Sequence, residues 1–200
     1  MRIGVFGGTF DPPHIAHLIL AGEALHQLAL DRLLWVLTPF PPHKQGRDIL
    51  PLHTRLELLS AALRLELAFE LSQVDIDRKT PHYAIDTMTI LRGAYPDDEL
   101  IYLMGGDSLH DLPDWRQPQQ FVAACTALGV MRRPGDRVDL PALESHIPGL
   151  TAKLRFIDAP LLEISATDLR QRIAQGRPYR YFLPENVYQL ILTQGLYKSS

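Results

Sequence analysis

The sequence has little cysteine and no long apolar run. Cys125 is the only cysteine among 200 residues, so no disulfide can form within the chain, and a reducing compartment is expected. Its neighbours from Phe121 onward are apolar, which favours a small buried thiol over a nucleophile. No apolar run approaches the roughly 20 residues that cross a bilayer, and the first residues lack the apolar stretch of a signal peptide. We therefore expect a soluble, cytoplasmic protein with no membrane partner.

Dense basic segments are also missing. Twenty Lys and Arg stand against 23 Asp and Glu, which gives a formal net charge of −3. Proteins that bind nucleic acid normally present a basic face, so we expect no nucleic acid partner. A hydrophobic fraction of 46% is ordinary for a globular protein. The length suits a single domain, 1–200, with a helical C-terminal part from about residue 165. The composition does not distinguish a monomer from an oligomer.

Short apolar runs alternate along the chain with segments of helical periodicity. The predicted strands are Arg2–Phe6, Arg32–Leu37, Glu70–Asp75, Leu100–Met104, Ala127–Met131 and Leu154–Ile157. Apart from Glu70–Asp75 these runs are mainly apolar rather than alternating, which is typical of parallel strands covered on both faces. The apolar stripes that predict helices are Ile15, Leu18, Ile19, Gly22, Leu25, Leu28 and Ala29; Leu56, Leu59, Ala62, Leu63 and Leu67; and Ile85, Met88, Thr89 and Leu91. The alternation predicts a doubly wound α/β fold with a mostly parallel sheet.

The end of the chain follows a different pattern. Two consecutive helices are predicted, from Ser165 to about Ala174 and over Pro184–Thr193, with no strand between them. Two stretches rich in proline and glycine, Thr38–Pro51 and Arg132–Gly149, are predicted to be loops over a site.

The first predicted strand ends on a glycine turn at residues 7–10, and a helix is expected to begin near His14 or Ile15. Ligands of open α/β sheets bind beyond the carboxyl ends of the strands. Two glycines let backbone amides approach an anion, and a helix N-terminus adds free N–H groups. The turn matches neither the dinucleotide fingerprint nor the P-loop. A plain connection between strand and helix is the alternative interpretation.

Two histidines favour the anion site. His14 and His17 are three positions apart at a helix start, so both face the same turn. Each can donate a hydrogen bond to a phosphate oxygen, more strongly when charged. The spacing is one short of the zinc motif H-E-x-x-H, and the glutamate is missing. Beside the glycine turn, the pair indicates phosphate binding more than inert surface histidines.

Residues 7–17, GGTFDPPHIAH, resemble the GGTFDPxHxGH signature of the HxGH nucleotidyltransferase superfamily. Residues 164–170, ISATDLR, are similar to the downstream I-S-S-T-x-x-R motif of that family, about 150 residues further along the chain. The resemblance implies a Rossmann-like fold and a site for the phosphates of ATP. It assigns ATP binding to Gly7, Gly8, Thr9, Phe10, Ser165 and Thr167, and catalysis to His14, His17 and Arg170.

Two features of these motifs leave alternatives open. Ser165 and Asp168 also form an S-x-x-D capping box, which explains both residues without a phosphate. The cap and a phosphate compete for the same donor, because the Ser165 side chain would accept from a backbone amide that a phosphate could otherwise use. Ala16 and Ala166 stand where the family motifs have glycine and serine. We expect the methyl group of Ala16 to be tolerated, with His17 still directed at the phosphates.

Two further segments resemble those of the bacterial nicotinate mononucleotide adenylyltransferases. Residues 103–115 carry GGDSL and LPDW, similar to the family's GGDSL…LPxW segment, and residues 83–87, YAIDT, are similar to its Y-T-I-D-T stretch. The resemblance implies that Gly106 and Asp107 bind ATP, and that Trp115 and Thr87 bind the acceptor, Trp115 by stacking on a pyridine ring. The alternatives are a turn cap for Asp107, a core position for Trp115 and a solvated one for Thr87.

Residues 41–44, PPHK, match a further loop of the family. The match implies that Lys44 is catalytic and neutralises phosphate charge. A lysine that is merely solvated is the alternative. Arg133, which follows a predicted strand, is a weaker candidate for contacting the nucleotide.

The resemblance implies a reaction in which the 5′-phosphate of nicotinate mononucleotide attacks the α-phosphorus of ATP. The products are deamido-NAD and pyrophosphate. This phosphate is already ionised, so catalysis reduces to positioning and charge neutralisation. Mg²⁺ is expected to arrive on the ATP phosphates without a protein cage. The alternatives are a sister enzyme that uses nicotinamide mononucleotide or phosphopantetheine, and a non-catalytic nucleotide sensor.

Overall fold

The computed structural model describes residues 1–40, 49–131, 138–160 and 162–198. The strands in these ranges are β1 (Arg2–Gly8), β2 (Arg32–Leu37), β3 (Phe69–Ser72), β4 (Glu99–Gly105), β5 (Ala127–Met131) and β6 (Leu154–Ile157). The helices are α1 (Ile15–Gln27), α2 (Leu52–Leu63), α3 (Ala84–Ala94), α4 (Gly106–His110), α5 (Pro118–Ala124), α6 (Leu140–His146), α7 (Leu150–Lys153), α8 (Ala166–Ala174) and α9 (Glu185–Gln194). Short 3-10 turns lie at Leu112–Asp114 and Arg180–Phe182. None of the described helices is long and apolar enough to span a bilayer.

The six described strands form one sheet in the order β3-β2-β1-β4-β5-β6, and every neighbouring pair is parallel. The predicted doubly wound α/β fold is therefore confirmed. The chain runs outward in one direction from β1 to β3 and in the other from β4 to β6, so the strand order reverses between β1 and β4. A parallel sheet opens a crevice at such a reversal, at the carboxyl ends of its strands. This topology places the glycine turn after β1 next to the segment after β4.

The core lies on both faces of the sheet, as continuous apolar strands require. One face packs β1, β4 and β5 against α3 and α5, with Val5, Met88 and Phe121 buried. The other face packs β1, β2 and β4 against α1, around Trp35. A third apolar cluster joins α2, α8 and α9. It attaches the C-terminal helices to the helix that follows the 38–51 segment.

Cys125 lies in the first of these clusters, 1% exposed. Burial raises the pKa of its thiol to about 12. The thiol is therefore protonated at neutral pH, as expected of a packing residue.

The third strand is shorter than predicted. β3 ends at Ser72, because the amides of Ile76 and Asp77 both donate to the carbonyl of Gln73 and turn the chain. Asp75, predicted to end the strand, lies in this turn and is 3% exposed.

Several members of the predicted apolar stripes are in fact exposed: Gly22, Ala29, Leu67 and Thr89. On α1 the fully buried residues are Ala21 and Ala24, whose small side chains let the helix lie close to the sheet. Ala29 and Leu67 lie beyond the ends of α1 and α2, where helical periodicity no longer applies. Thr87, not Thr89, is buried on α3.

The two predicted C-terminal helices are confirmed as α8 and α9. The predicted loop Arg132–Gly149 is partly wrong, because α6 lies within it. Asp139 begins α6 by accepting a hydrogen bond from the Ala142 amide at 3.0 Å, an N-cap that stabilises a helix start. Residues 41–48 and 132–137 of the two predicted loops lie outside the described residues.

Candidate active site

The carboxyl ends of β1 and β4 open into a cavity of about 810 Å³, within the range of small-molecule sites. The predicted residues on its wall are Gly7, Gly8, Thr9, Phe10, His17, Thr87, Trp115 and Arg170. An adjoining cavity of about 560 Å³ has His14, His17, Asp107, Ser165, Thr167 and Arg170 on its wall. His17 and Arg170 border both spaces. Gly106 begins α4 and is buried. Its neighbours in sequence, Gly105 and Asp107, lie on the wall of the smaller cavity.

Close packing explains both glycines of the turn. A Cβ on Gly7 would lie 2.9 Å from the Tyr102 hydroxyl, and one on Gly8 would lie 2.8 Å from the ring of Phe10. Phe10 itself has a φ of 47°, a left-handed conformation that is uncommon outside glycine. Its ring is held against Trp35 and His17, with centroids 5.2 Å away in each case. Packing among these aromatic rings thus fixes the conformation of the turn.

His17 has a defined tautomer when neutral. The backbone N–H of His14 donates to Nδ1 of His17 at 3.1 Å. The proton of the neutral ring is therefore on Nε2, which makes that nitrogen a donor. Because His17 borders both cavities, its ring lies at the point where they meet.

His14 lies deeper than its partner. Its ring stacks on His17 with centroids 3.6 Å apart, and the residue is 5% exposed. Burial lowers the pKa of His14 to about 4, so the ring is neutral near pH 7. The expectation that charged histidines strengthen the site does not apply to His14 in this structure. A neutral ring still offers one N–H to a phosphate oxygen.

Arg170 projects from the second turn of α8 and joins this helix to the glycine turn. Its Nη1 donates to the backbone carbonyl of Asp11 at 2.7 Å, and its Nη2 donates to the Thr167 hydroxyl at 3.3 Å. These bonds leave further guanidinium N–H groups for a ligand, since arginine has five. Ser165 caps α8 by accepting from the Asp168 amide at 3.0 Å. The capping interpretation thus describes the Ser165 side chain in this structure, and its phosphate contact stays a prediction.

Asp11 is a buried anion that the sequence patterns did not single out. It is 2% exposed, and its Oδ1 accepts from the hydroxyl of Tyr197 at 2.7 Å. Its Oδ2 lies 3.8 Å from Nη1 of Arg170. The carboxylate therefore links the turn to the helix that carries Arg170 and to the segment after α9.

Arg55, on α2, is a second residue that sequence reasoning missed. It is 2% exposed and donates to four backbone carbonyls, those of Leu50, Thr9, Thr38 and Pro39, at 2.7–3.2 Å. Burial lowers the pKa of its guanidinium, and the charge of Asp11 opposes that shift. The sequence does contain a signal for the burial of Arg55, because this residue lies three and four positions before Leu58 and Leu59, on the buried face of α2. Arg55 connects the glycine turn with the segments on either side of residues 41–48.

The part of the larger cavity beside Trp115 forms its aromatic end. Trp115 is half-buried and lies on its wall, after the 3-10 turn at Leu112–Asp114. Its ring packs against Phe121 and Tyr102, with centroids at 5.2 and 6.2 Å. One part of the Trp115 side chain therefore packs against the core, as the core interpretation predicts. Another part borders the cavity, where a ligand could stack on it.

A polar cluster lies at the same end. The hydroxyl of Thr87 donates to Oδ1 of Asp75 at 2.7 Å and accepts from Nη2 of Arg78 at 3.3 Å. Arg78 also donates to the carbonyls of Pro81 and Tyr83, which holds the chain that enters α3. Thr87 is buried at 3% exposure, so the solvated interpretation is wrong. Sequence reasoning did not identify Asp75 and Arg78, since they match no motif.

Lys44 and Arg133, predicted from sequence, lie outside the described residues. Within the described ranges, no group of three or more His, Cys, Asp or Glu side chains is arranged to hold a metal. The buried carboxylates of the larger cavity, Asp11 and Asp75, are each engaged by protein donors. A divalent cation fits this site when phosphate oxygens carry it.

Comparisons with known proteins identify the family of this chain. The cytidylyltransferase-like family model matches residues 5–172. The chain is 44% identical over 198 residues to a probable nicotinate-nucleotide adenylyltransferase of Thermomicrobium roseum, covering 99% of this chain and 92% of the relative. It is 36% identical over 198 residues to the nicotinate-nucleotide adenylyltransferase of Bacillus subtilis, covering 99% of each.

Solved structures show the same fold. A Plasmodium falciparum nicotinic acid mononucleotide adenylyltransferase complexed with NaAD has a TM-score of 0.78 at 16% identity, covering 98% of this chain and 97% of that one. A putative nicotinate-nucleotide adenylyltransferase from Vibrio parahaemolyticus has a TM-score of 0.69, also at 16% identity, covering 100% and 98%. Family model, relatives and fold agree, and the chain belongs to the nicotinate-nucleotide adenylyltransferases of the cytidylyltransferase-like family.

Proposed function

We propose that this chain transfers the adenylyl group of ATP to nicotinate mononucleotide, forming deamido-NAD and pyrophosphate in NAD biosynthesis. The observation that carries the proposal is one cavity bordered by the glycine turn, by His17, by Arg170 and by Trp115. The relatives named above support the choice of reaction. Membership of this family supports a catalyst over a nucleotide sensor.

The reaction forms one bond and breaks one. A 5′-phosphate oxygen of the mononucleotide bonds to the α-phosphorus of ATP, and the bond from that phosphorus to the bridging oxygen of the β-phosphate breaks. The electron pair leaves with pyrophosphate. The nucleophile is an ionised phosphate, so the protein's task is to align the two nucleotides and to stabilise the charge that develops.

The ATP phosphates are proposed to lie on the glycine turn, at the N-terminus of α1. There the Nε2–H of His17 and the guanidinium of Arg170 would donate to phosphate oxygens. His14, neutral and stacked beneath His17, would add one N–H and hold the His17 ring in place. Lys44 is proposed to approach from the 41–48 segment. Gly106, Asp107, Ser165 and Thr167 are proposed to bind the rest of the nucleotide, in the adjoining cavity.

The acceptor is proposed to bind at the aromatic end, with its pyridine ring on Trp115 and its carboxylate toward Thr87. The Thr87 hydroxyl has a single proton, and its shortest acceptor is Asp75 at 2.7 Å. Thr87 would therefore act mainly by shaping the pocket beside the start of α3, whose N–H groups favour an anion.

Nucleotidyltransferases of this kind use a divalent cation together with ATP. We propose Mg²⁺, carried by the phosphates and retaining much of its water. The cytoplasm, where ATP is abundant, is the compartment we propose.

Pyrophosphate release by the purified protein tests the proposal. The protein is given ATP and Mg²⁺ with nicotinate mononucleotide, with nicotinamide mononucleotide or with phosphopantetheine. We expect fast release with the first acceptor and much slower release with the other two. Equal rates with both pyridine nucleotides would refute the preference for the acid. Release with phosphopantetheine alone would identify a sister enzyme, and ATP binding without any release would identify a sensor.

A further inference from the structure

The segment after α9 reaches back to the glycine turn. The hydroxyl of Tyr197 donates to Oδ1 of Asp11 at 2.7 Å, across 186 positions of the chain. The contact is partly buried on the Tyr197 side and almost fully buried on the Asp11 side. Burial raises the pKa of the Tyr197 phenol, and the nearby carboxylate raises it further, so the hydroxyl keeps its proton and stays a donor.

The ring of Tyr197 is held by packing as well as by its hydroxyl. Gly195 ends α9 in a left-handed conformation with a φ of 63°, and the chain then turns back toward the core. Tyr197 packs with Leu196 against the cluster formed by α2, α8 and α9. Removing the hydroxyl alone should therefore leave the ring in place.

Asp11 has two competing cations beside it. Oδ2 lies 3.8 Å from Nη1 of Arg170, a loose ion pair, and Arg55 lies close enough to feel the charge of Asp11. The Tyr197 hydroxyl occupies the other oxygen and fixes the orientation of the carboxylate. Without this donor, the buried carboxylate would lack a partner for Oδ1 and would turn toward the nearer guanidinium. A tighter Asp11–Arg170 pair would draw N–H groups of Arg170 away from the cavity.

We infer that Tyr197 is a positioning residue for adenylyl transfer, acting through Asp11 to keep the Arg170 guanidinium available to the phosphates of ATP. The inference rests on the proposed function, because it assumes that ATP phosphates bind beside Arg170. It extends the site to a residue that lies outside the two sequence motifs and outside both cavity walls.

Replacement of one hydroxyl tests this inference. Tyr197→Phe is compared with Tyr181→Phe, whose side chain is 85% exposed in the turn before α9. The Kd of ATP is measured by calorimetry, and the KM values of ATP and of nicotinate mononucleotide are measured separately. For Tyr197→Phe we expect the Kd and KM of ATP to rise about tenfold, the effect of one charge-assisted hydrogen bond. The KM of the mononucleotide should change less than twofold, and Tyr181→Phe should match the wild type.

A double-mutant cycle identifies the path of the effect. In an Arg170→Ala background, Tyr197→Phe should cause no further loss of ATP affinity, because the group on which Tyr197 acts is absent. An equal loss in both backgrounds would refute the path through Arg170. A wild-type ATP Kd for Tyr197→Phe would refute the inference, with or without a lower melting temperature. Because the Kd of ATP is measured without an acceptor, failure of the wild type to use nicotinate mononucleotide would refute the proposed acceptor and leave this inference testable through the Kd.

Discussion

The cleft has two ends, the proposed phosphate end at the glycine turn and the proposed acceptor end beside Trp115, and they are built in different ways. At the phosphate end, the groups come from distant parts of the chain: Asp11, Arg55, Arg170 and Tyr197 belong to the β1–α1 turn, α2, α8 and the segment after α9. At the acceptor end the polar groups Asp75, Arg78 and Thr87 lie within one connection and the start of one helix, and Trp115 comes from the segment after α4. The first assembly depends on the whole fold, and the polar part of the second is local.

Charge also differs between the ends. One buried carboxylate, Asp11, serves two guanidinium groups at the phosphate end, which leaves positive charge for a polyanion. At the acceptor end, Arg78 pairs with Asp75 at 3.0 Å and with Asp86 at 3.6 Å, so its charge is used within the protein. The comparison suggests that the phosphate end works by electrostatics and the acceptor end by shape and stacking.

The largest effect is expected at the phosphate end. His17→Ala removes the donor that we propose for the charge developing on the phosphates, and kcat/KM should fall by roughly 10²–10³-fold. The matched control is His26→Ala, in the exposed last turn of the same helix, which should keep wild-type turnover. Full turnover by His17→Ala, with ATP binding retained, would contradict the electrostatic description of this end.

A substitution in α2 tests how far the fold depends on the contacts that assemble the phosphate end, without measuring its chemistry. Arg55→Met removes a buried cation that donates to four carbonyls and faces Asp11, and the free energy of unfolding should fall by about 3 kcal/mol. Arg64→Met, at the exposed end of the same helix, is the control and should change it by less than about 0.5 kcal/mol. Urea unfolding measures both. Equal small effects would show that the fold does not depend on the Arg55 contacts.

Acid should weaken the phosphate end through His14. Its pKa is about 4 in the folded protein, below the ordinary 6.5, so between these values the unfolded chain binds a proton that the folded chain does not. Stability should therefore be unaffected above pH 6.5 and fall toward pH 4, by up to about 1.4 kcal/mol per pH unit. Urea midpoints at pH 7 and pH 5 measure this fall. His14→Asn should reduce the slope, and an unchanged slope would show that other groups cause it.

The smallest effect tests the acceptor end. Trp115→Ala should raise the KM of nicotinate mononucleotide about tenfold and leave the KM of ATP nearly unchanged, because it removes a stacking surface and no charge. Trp115→Phe keeps an aromatic ring and should recover most of the loss. A matching rise in the KM of ATP would remove the distinction between the two ends.

Much of this molecule follows from local patterns. Apolar runs locate most of the six described strands, and the order of strands and helices predicts the sheet. Gly7 to His17 predicts an anion site because the glycines, the histidines and the strand end lie in one short segment, and its resemblance to the family signature predicts the chemistry. The departure at Ala16 leaves His17 on both cavity walls, and Ala16 itself lies on the wall of the smaller one.

The supporting residues could not be predicted in the same way. Tyr197 and Arg55 contact groups 186 and 46 positions away, and no local pattern encodes such a contact. The exposure of Gly22 and the burial of Thr87 depend on which face of each helix meets the sheet. Apolar spacing alone assigns that face incorrectly when alanines make the closest contact, as they do on α1.

The two tryptophans of the chain report on different ends of the cleft. Trp35 is fully buried beneath the glycine turn, 5.2 Å from the ring of Phe10, whereas Trp115 lies half-buried on the wall of the larger cavity. An indole in a dry core emits at shorter wavelength than one near water, so the intrinsic fluorescence should contain two separable contributions. In a Trp35→Phe variant, the remaining emission would come from Trp115 alone. The protein thus carries a built-in optical probe of the acceptor binding proposed at Trp115, which needs no label and no turnover.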